Sequence, residues 1–217
     1  MGWGSYIYCA DNPLRIIDPT GEEWYKIFED NGTADWKYFK DAPVKNIWTG
    51  AYNQKGEKIY EDVQGYKELL FFQVSELQWL MESGERQRWE GVSGIPDEFG
   101  RTQPNRQGEE NKGPTPEGWW IVDPQNAYGI DKSNNPIDML KWLYKFYGQG
   151  EAYINIYPTP DNPSQRTLGF SIHGGISPGS IGCIDLTSNM YTFYKTFQSH
   201  NKSMLLNVDY SKFNPIS

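Results

Sequence analysis

The sequence predicts a β-rich α+β fold, and three observations lead to that prediction. Aromatic residues make up 16% of the chain, with nine Trp and fifteen Tyr, a composition that suits a sheet fold with an aromatic-lined groove. Short apolar runs alternate with polar residues at period two and are bounded by Gly, Asn and Asp turns. Two further stretches in the C-terminal half place apolar residues at helical spacing. Because 217 residues can bury one core and hold an extension, we expect a sheet with two packed helices and an N-terminal β extension.

Charge and composition exclude several classes of function. The formal net charge of −8 argues against nucleic-acid binding, which depends on Lys and Arg neutralising phosphates. The chain holds no run of about 18 apolar residues, so no membrane span is expected. Met1–Asp11 lacks the basic start and apolar stretch of a secretory signal, and none is expected there. The two cysteines stand in unequal contexts, so both are expected to be free thiols.

Residues 22–66 predict a β extension in which we find no chemistry. Weak alternation and turn residues mark its elements, which are strands at Glu23–Glu29, Trp36–Phe39 and Lys58–Val63 and turns at Asp30–Gly32 and Asn53–Gly56. A connecting module is the default interpretation of this segment, and partner binding is the alternative.

Stronger strand patterns begin at Glu68 and define a second domain over residues 67–217. The predicted strands are Leu69–Val74, Leu77–Met81, Arg86–Val92, Trp119–Val122, Tyr153–Tyr157 and Met204–Val208. Residues 93–113 form a long polar loop rich in Gly, Pro and Asn, and a loop of this length is usually either functional or disordered.

Two helices are expected to pack on the sheet. The first begins at Asn135, which suits a helix cap, and Pro136 suits the first turn. The second follows Thr187–Ser188, and its apolar face consists of Met190, Phe193, Tyr194 and Phe197.

The stretch Phe170–Leu186 holds one of the only two histidines and one of the only two cysteines, ten positions apart. The residues before His173 alternate as in a half-buried strand, which turns His173 away from the core face. Between His173 and Cys183 lie four glycines, a proline and two serines, so this loop can fold back sharply and expose backbone N–H groups. The two side chains can therefore meet as base and nucleophile.

The chemistry expected of this pair is acyl transfer. A thiol is mostly protonated at neutral pH, so His173 would take the proton of Cys183, and N–H groups around Gly182 and Cys183 would hold the oxyanion. Ser180 would orient the site or bind the substrate. The alternative is that Cys183 is a small buried apolar residue and His173 a satisfied surface residue. One His and one Cys leave too few ligands for a metal site, and His200 is expected to be exposed and without a role.

The ordered motifs resemble those of L,D-transpeptidase-type enzymes. Ile172–Gly175 (IHGG) followed by Ser180–Leu186 (SIGCIDL) looks like their active-site signature, and its short spacing resembles the antibacterial L,D-transpeptidase/carboxypeptidase effectors of type VI secretion. Gly113–Trp120 (GPTPEGWW) and Val92–Gly94 (VSG) resemble two further motifs of that family. The likeness covers residues 68–217 and implies a mixed β sheet or barrel that needs no cofactor.

The resemblance also implies roles for other residues of the site. Gly174, Gly175, Ser180 and Gly182 would shape it or supply the oxyanion donors. In the wider family the signature reads S-H-G-C-x-R, whereas here Ile181 and Asp185 replace the second histidine and the arginine. The usual clamp for the substrate carboxylate is thereby lost. Residues that could bind the substrate instead are Arg101, Arg106, Arg166, Asp185, Trp119 and Trp120.

The first twenty-one residues resemble the end of the conserved core of Rhs proteins. Asn12–Gly21 (NPLRIIDPTG) fits the P-x(4)-D-P-x-G boundary of that family, after which a variable toxin follows, although Glu22 stands where the family has Leu. An ordinary Asp-Pro-x-Gly turn is the alternative. The resemblance implies residues 1–21 as an Rhs boundary, with the Rhs core and the type VI secretion machinery as partners.

Together the resemblances imply an antibacterial toxin acting on peptidoglycan. It would be made in the producer cytoplasm, act in the target-cell periplasm, and be countered by a cognate immunity protein. It would remove or exchange the terminal D-Ala of tetrapeptide stems. The alternatives are a cysteine peptidase or amidase cutting elsewhere in the cell wall, and a non-catalytic wall-binding module. Papain-like peptidases place Cys before His in the chain, an order that is reversed here.

Overall fold

The structure is a computed structural model, and its described parts fall into two compact units. The described residues are 22–40, 44–129, 150–166 and 168–211. The first unit includes residues 22–69 and 80–86, and the second includes residues 70–79 and 87–210, within the described ranges. The sequence placed this division between residues 66 and 67. The Rhs-like segment 1–21 with Cys9, and the helix predicted to begin at Asn135, lie outside the described residues.

The first unit contains two antiparallel hairpins. Its strands are β1 (Glu23–Phe28), β2 (Ala34–Phe39), β3 (Ile47–Tyr52) and β4 (Lys58–Glu61). The sequence analysis did not assign β3, because its pairing with β4 shifts register between Trp48 and Tyr52. Gly50 adopts a φ of 82° there, a left-handed conformation that favours glycine and breaks the period-two pattern.

Aromatic contacts and an ion pair stabilise the first unit. The Trp24 ring lies 5.2 Å from that of Tyr38, and the guanidinium of Arg86 lies 5.0 Å from the Trp24 ring. Arg86 also forms an ion pair with Asp35, at 3.1 Å between Nη1 and Oδ1. A unit this small has little aliphatic surface to bury, so these directional contacts supply much of its specificity.

The second unit is built around a nine-stranded mixed sheet. Its strands are β5 (Leu69–Gln73), β6 (Glu76–Leu80), β7 (Arg86–Glu90), β8 (Val92–Ser93), β9 (Gly118–Gly129), β10 (Ala152–Pro158), β11 (Ser171–His173), β12 (Ile184–Asp185) and β13 (Met204–Val208). The order across the sheet is β7-β6-β5-β13-β9-β10-β11-β12-β8. The pairs β5–β13 and β11–β12 are parallel, whereas β13–β9, β9–β10, β10–β11 and β12–β8 are antiparallel.

The sheet is nearly closed. Its two edge strands, β7 and β8, follow one another in the chain and are separated by Gly91 alone. A sheet whose edges are joined by a single residue curls toward a barrel, which protects the edges from pairing with other chains. The prediction of a β-rich α+β fold with a mixed sheet is therefore confirmed at the level of class.

Two neighbouring rows of side chains cross the sheet and point to opposite faces. Ala127, Ile154, Ile172 and Ile184 are paired across β9 to β12, and all four are buried in the core. The next row along the strands is Tyr128, Tyr153, His173 and Asp185. Since successive residues of a strand alternate between faces, the apolar row fixes the polar row on the other side. This register brings His173 and Asp185 together.

The helix predicted near the C-terminus is present at Met190–His200. It follows a 3₁₀ turn at Thr187–Asn189, packs against β9 and β10, and buries the four predicted apolar side chains. Asn201 ends it in a left-handed conformation, with its N–H donating to the Phe197 carbonyl at 3.1 Å. No helix among the described residues is long and apolar enough to cross a bilayer.

Candidate active site

His173 is the last residue of β11, and its ring is fixed by its neighbour in the chain. Nδ1 lies 2.6 Å from the carbonyl oxygen of Gly174. A carbonyl can only accept a hydrogen bond, so Nδ1 carries the proton and Nε2 is left to act as a base. The alternation of residues before His173 predicted a half-buried strand, with Leu168 on its core face and His173 on the other face. That prediction was wrong, because His173 is only 3% exposed and Leu168 is 87% exposed. The strand is shorter than the alternation suggested, and Asp185 lies beside its last residue on the polar face.

Cys183 lies directly before β12 and is brought to the histidine by parallel strand pairing. Ile184 pairs with Ile172, so Cys183 lies level with Ser171, on the face that carries His173. The thiol is half-buried and unpaired with any other cysteine. The His173 side chain is close enough to lower the pKa of the Cys183 thiol, and the Ser171 hydroxyl donates to Sγ at 3.4 Å. The sequence-predicted base and nucleophile therefore meet.

The electrostatics of this pair favour the ionised form of the thiol. Burial alone would raise the pKa of Cys183, but hydrogen bonds from His173 and Ser171 outweigh burial and hold that pKa below its usual value. Burial alone would likewise lower the pKa of His173, but the bonds to Cys183 and to the Gly174 carbonyl outweigh it and raise that pKa. A thiolate facing an imidazolium is the charge state of an activated cysteine nucleophile.

Asp185 is one of the residues expected to contact substrate. It is buried instead, and its carboxylate binds backbone N–H groups of two neighbouring segments. Its carboxylate has no exposed surface and accepts the N–H of Gly179 at 3.0 Å and the N–H of Thr187 at 2.7 Å. Burial raises the pKa of Asp185, and the two N–H bonds and the nearby His173 partly offset this effect. The carboxylate thus connects the loop before Cys183 to the turn that starts the last helix, and it supports a positive charge on His173.

Ser180 and Gly182 shape the loop immediately before the nucleophile. The Ser180 hydroxyl donates to the Cys183 carbonyl at 2.7 Å, and the Gly182 N–H donates to Ser180 Oγ at 3.3 Å. Gly182 has a φ of 139°, and a Cβ there would lie 2.9 Å from Nη2 of Arg166 and 3.0 Å from the Phe170 ring. Only glycine fits this position without displacing its neighbours.

The three candidate arginines differ in how their charges are used. Arg101 is paired with Asp97, with Nε 3.2 Å from Oδ2, and Arg106 makes a bidentate pair with Glu109 at 3.0 and 2.8 Å. A substrate carboxylate would have to displace these partners.

Arg166 has neutral partners instead, and it lies beside the nucleophile loop. Its guanidinium donates to the carbonyls of Gln107 at 2.6 Å and Pro114 at 3.1 Å, and it lies 5.2 Å from the Phe170 ring. Because these acceptors are neutral, none of them compensates the positive charge of Arg166. Arg166 is therefore the best placed of the three arginines to attract a substrate carboxylate.

The two candidate tryptophans differ in how much of their surface is exposed. Trp120 has no exposed surface, packs against Phe170 with ring centroids 5.2 Å apart, and donates its indole N–H to the Pro116 carbonyl at 3.1 Å. It packs the core and offers no surface to a substrate in this structure. Trp119 is half-buried, and its carbonyl accepts the side-chain amide of Asn162 at 2.7 Å.

Sequence reasoning missed several polar groups that touch the nucleophile loop. Ser171 stands two residues before His173 on the same strand face, and that spacing could have revealed it. Ser93 and Thr115 both contact backbone carbonyls of the loop. Their motifs were noted in the sequence, but no spacing rule connects residues so far apart with Cys183.

Outside this site, His200 is partly buried, with its ring 4.8 Å from that of Trp79. The described part of the chain contains no cluster of three or more His, Cys, Asp or Glu side chains arranged to hold a metal ion. Comparison with protein-family models gives no match, and comparison with curated protein sequences gives none either. The geometry of the site and the motif resemblance are therefore the basis on which a function can be assigned.

Proposed function

We propose that the chain is a cysteine-dependent acyl-transfer enzyme with Cys183 as nucleophile and His173 as base. The observation that carries this proposal is the pairing of β11 with β12, which brings the two side chains to one face, with Nδ1 of His173 held by the Gly174 carbonyl. A half-exposed thiol of lowered pKa beside an oriented imidazole is the arrangement that nucleophilic catalysis requires.

The reaction follows from these positions. The thiolate of Cys183 adds to a peptide carbonyl, and the carbonyl π electrons move to oxygen as an oxyanion. When the C–N bond breaks, the imidazolium of His173 gives its proton to the leaving amine, and a thioester remains on Sγ. Water attack on the thioester gives hydrolysis, whereas attack by an amine gives exchange, and His173 takes the proton of either one.

The motif resemblance supports peptidoglycan stem peptides as the substrate. The bond would be that between meso-diaminopimelate and the terminal D-Ala of a tetrapeptide, so the enzyme would act as an L,D-carboxypeptidase or L,D-transpeptidase. The terminal carboxylate of such a substrate needs a cationic ligand, and Arg166, held by neutral carbonyls beside Gly182, suits that role.

The same resemblance supports a role as the toxin of an Rhs protein exported by type VI secretion. Losing or exchanging the terminal D-Ala would deplete the tetrapeptide stems available for crosslinking and weaken the wall of a target cell. Activity in the target periplasm and neutralisation by a cognate immunity protein over the Cys183 groove are part of this proposal.

The direct test is mass spectrometry of purified tetrapeptide muropeptides incubated with the protein, with and without D-Met. Loss of D-Ala would establish carboxypeptidase activity, and a D-Met-bearing product would establish exchange. Cys183→Ser should abolish both products, whereas Cys9→Ser, which removes the other cysteine, should keep them.

The remaining outcomes distinguish the alternatives. Intact tetrapeptides with folded, reduced protein would contradict the proposed bond. Cleavage at another wall bond that requires Cys183 would then indicate an amidase or peptidase. Toxicity in the target periplasm that survives Cys183→Ser would indicate a wall-binding module.

A further inference from the structure

We propose that Ser93 and Thr115 are positioning residues of the oxyanion site, whose buried hydroxyls hold the Gly182–Cys183 peptide with its N–H directed at the reacting oxygen. The inference rests on the proposed cysteine chemistry but not on peptidoglycan as the substrate. It assigns to two side chains outside the His–Cys pair the role of orienting a backbone N–H group.

The contacts are short and buried. The Thr115 hydroxyl donates to the Gly182 carbonyl at 2.7 Å, and the Ser93 hydroxyl lies 3.0 Å from the Cys183 carbonyl. The two hydroxyls are in contact, with Ser93 Oγ 3.1 Å from Thr115 Oγ1, and the Thr115 N–H donates to Ser93 Oγ at 2.8 Å. Both side chains are 0% exposed. The carbonyls before and after the Cys183 N–H are thus both held from the interior.

Peptide geometry then fixes the direction of that N–H. The peptide between Gly182 and Cys183 is planar, and in a trans peptide the C=O and the N–H point in opposite directions. A Gly182 carbonyl held toward the buried Thr115 hydroxyl therefore turns the Cys183 N–H away from the interior, toward the side on which a substrate approaches. An oxyanion donor is effective when it is aimed before the reaction, since no reorganisation is then needed.

The two hydroxyls are themselves anchored by separate elements. Ser93 pairs with Ile184 between β8 and β12, and its N–H donates to the Thr102 hydroxyl at 2.9 Å. The carbonyl of Thr115 accepts the buried Tyr210 hydroxyl at 2.8 Å. Losing the Thr115 hydroxyl would leave the Gly182 carbonyl only its longer contact with Ser93 Oγ, at 3.3 Å, whereas the Cys183 carbonyl would keep the Ser180 hydroxyl if the Ser93 hydroxyl were lost.

The test compares two reactions of the same thiol. Acylation by p-nitrophenyl acetate passes through an oxyanion and releases p-nitrophenolate as the thioester forms, whereas alkylation by iodoacetamide displaces iodide and forms no oxyanion. Rates are measured on the full chain for the natural sequence, Thr115→Val, Thr115→Ser and Ser93→Ala, each in a Cys9→Ser background so that only Cys183 reacts.

Thr115→Val keeps the shape and removes the hydroxyl, so acylation should slow by about 10- to 100-fold, somewhat less than when an oxyanion donor is removed outright. Ser93→Ala should act in the same direction, and Thr115→Ser should restore most of the rate. Alkylation should stay within about twofold for all three, because the thiolate and its partner His173 are unchanged.

Equal losses in both reactions, or no loss of acylation in Thr115→Val and Ser93→Ala, would overturn the inference. If Thr115→Val fails to fold by circular dichroism, the contrast between Ser93→Ala and Thr115→Ser decides the matter. Acylation that shows the expected contrast while tetrapeptides stay intact would contradict the peptidoglycan substrate and leave this inference standing. A natural protein that p-nitrophenyl acetate does not acylate would contradict both.

Discussion

The two units of the chain bury polar side chains in different ways. In the first unit the buried carboxylate of Glu23 accepts the Tyr25 hydroxyl at 2.5 Å, and the half-buried Asp35 pairs with the half-buried Arg86, so each carboxylate has a partner within the unit. In the second unit the buried side chains of His173 and Asp185 belong to a set of contacts that surrounds one half-exposed atom, Sγ of Cys183.

The difference separates buried polar groups that stabilise from those that serve a reaction. A polar group whose partner is a neighbouring side chain has part of its free-energy cost of burial offset by that contact. Its donor or acceptor is then no longer available to a ligand. A set of contacts that ends at an exposed nucleophile directs its donors and charges at one point where chemistry can occur. Substitutions in the second unit should therefore change reactivity, whereas those in the first should change stability.

The largest effect is expected for His173→Gln, which removes the base and the partner of the thiolate. Acylation by p-nitrophenyl acetate should fall by about 100- to 10,000-fold, the usual contribution of a positioned general base. His200→Gln, which changes the other histidine, should keep the natural rate. Comparable losses in the two variants would contradict the assignment of His173.

A smaller loss is expected for Asp185→Asn, which removes the buried charge that supports the imidazolium of His173. The pKa of His173 should fall, so the alkaline limb of the pH–rate profile, where the imidazolium is lost, should move to lower pH. The acylation rate near neutral pH should drop by about tenfold, which corresponds to about 1.4 kcal/mol of lost transition-state stabilisation. Asp123→Asn, within β9 where the Asp123 side chain accepts the Gln125 N–H, is the control. A lower rate with an unmoved profile would mean that Asp185 acts on the loop alone.

A still smaller loss of rate is expected for Ser171→Ala, which removes the hydroxyl that donates to Sγ of Cys183. The pKa of Cys183 should rise, so the rate of alkylation by iodoacetamide should reach its plateau at higher pH. The rate near neutral pH should fall by about two- to fivefold, in keeping with the loss of one weak hydrogen bond. Ser177→Ala, at an exposed position of the same loop, should leave the profile in place. An unchanged profile in Ser171→Ala would show that His173 alone sets the thiol pKa.

No effect on reactivity is expected for Tyr25→Phe in the first unit. The variant removes the hydroxyl that donates to the buried Glu23 carboxylate, so the free energy of unfolding should fall by about 1–3 kcal/mol. Denaturant unfolding measures this loss, and Tyr52→Phe, whose side chain is 53% exposed, is the control. A changed acylation rate per folded molecule would contradict the separation between the two kinds of polar group.

Local patterns in the sequence predicted much of the fold. The short apolar runs that became β5, β6, β10 and β13, and the helical spacing that became Met190–His200, each depend on residues close together in the chain. The shift of register in β3 was not predictable, because a single residue in a left-handed conformation breaks the pattern. The burial of His173 was not predicted, because the residues that lie beside it, Tyr153 and Asp185, belong to the neighbouring strands β10 and β12.

The sequence by itself determined which two residues could form a nucleophile and base, since His173 and Cys183 are rare residue types around one glycine-rich loop. Only the tertiary structure decided what surrounds them. The parallel pairing of β11 with β12 puts Ser171 and Asp185 beside the pair, and β8 brings Ser93 beneath the loop. Strand pairing joins residues distant in the chain through backbone hydrogen bonds, which no local pattern of side chains records.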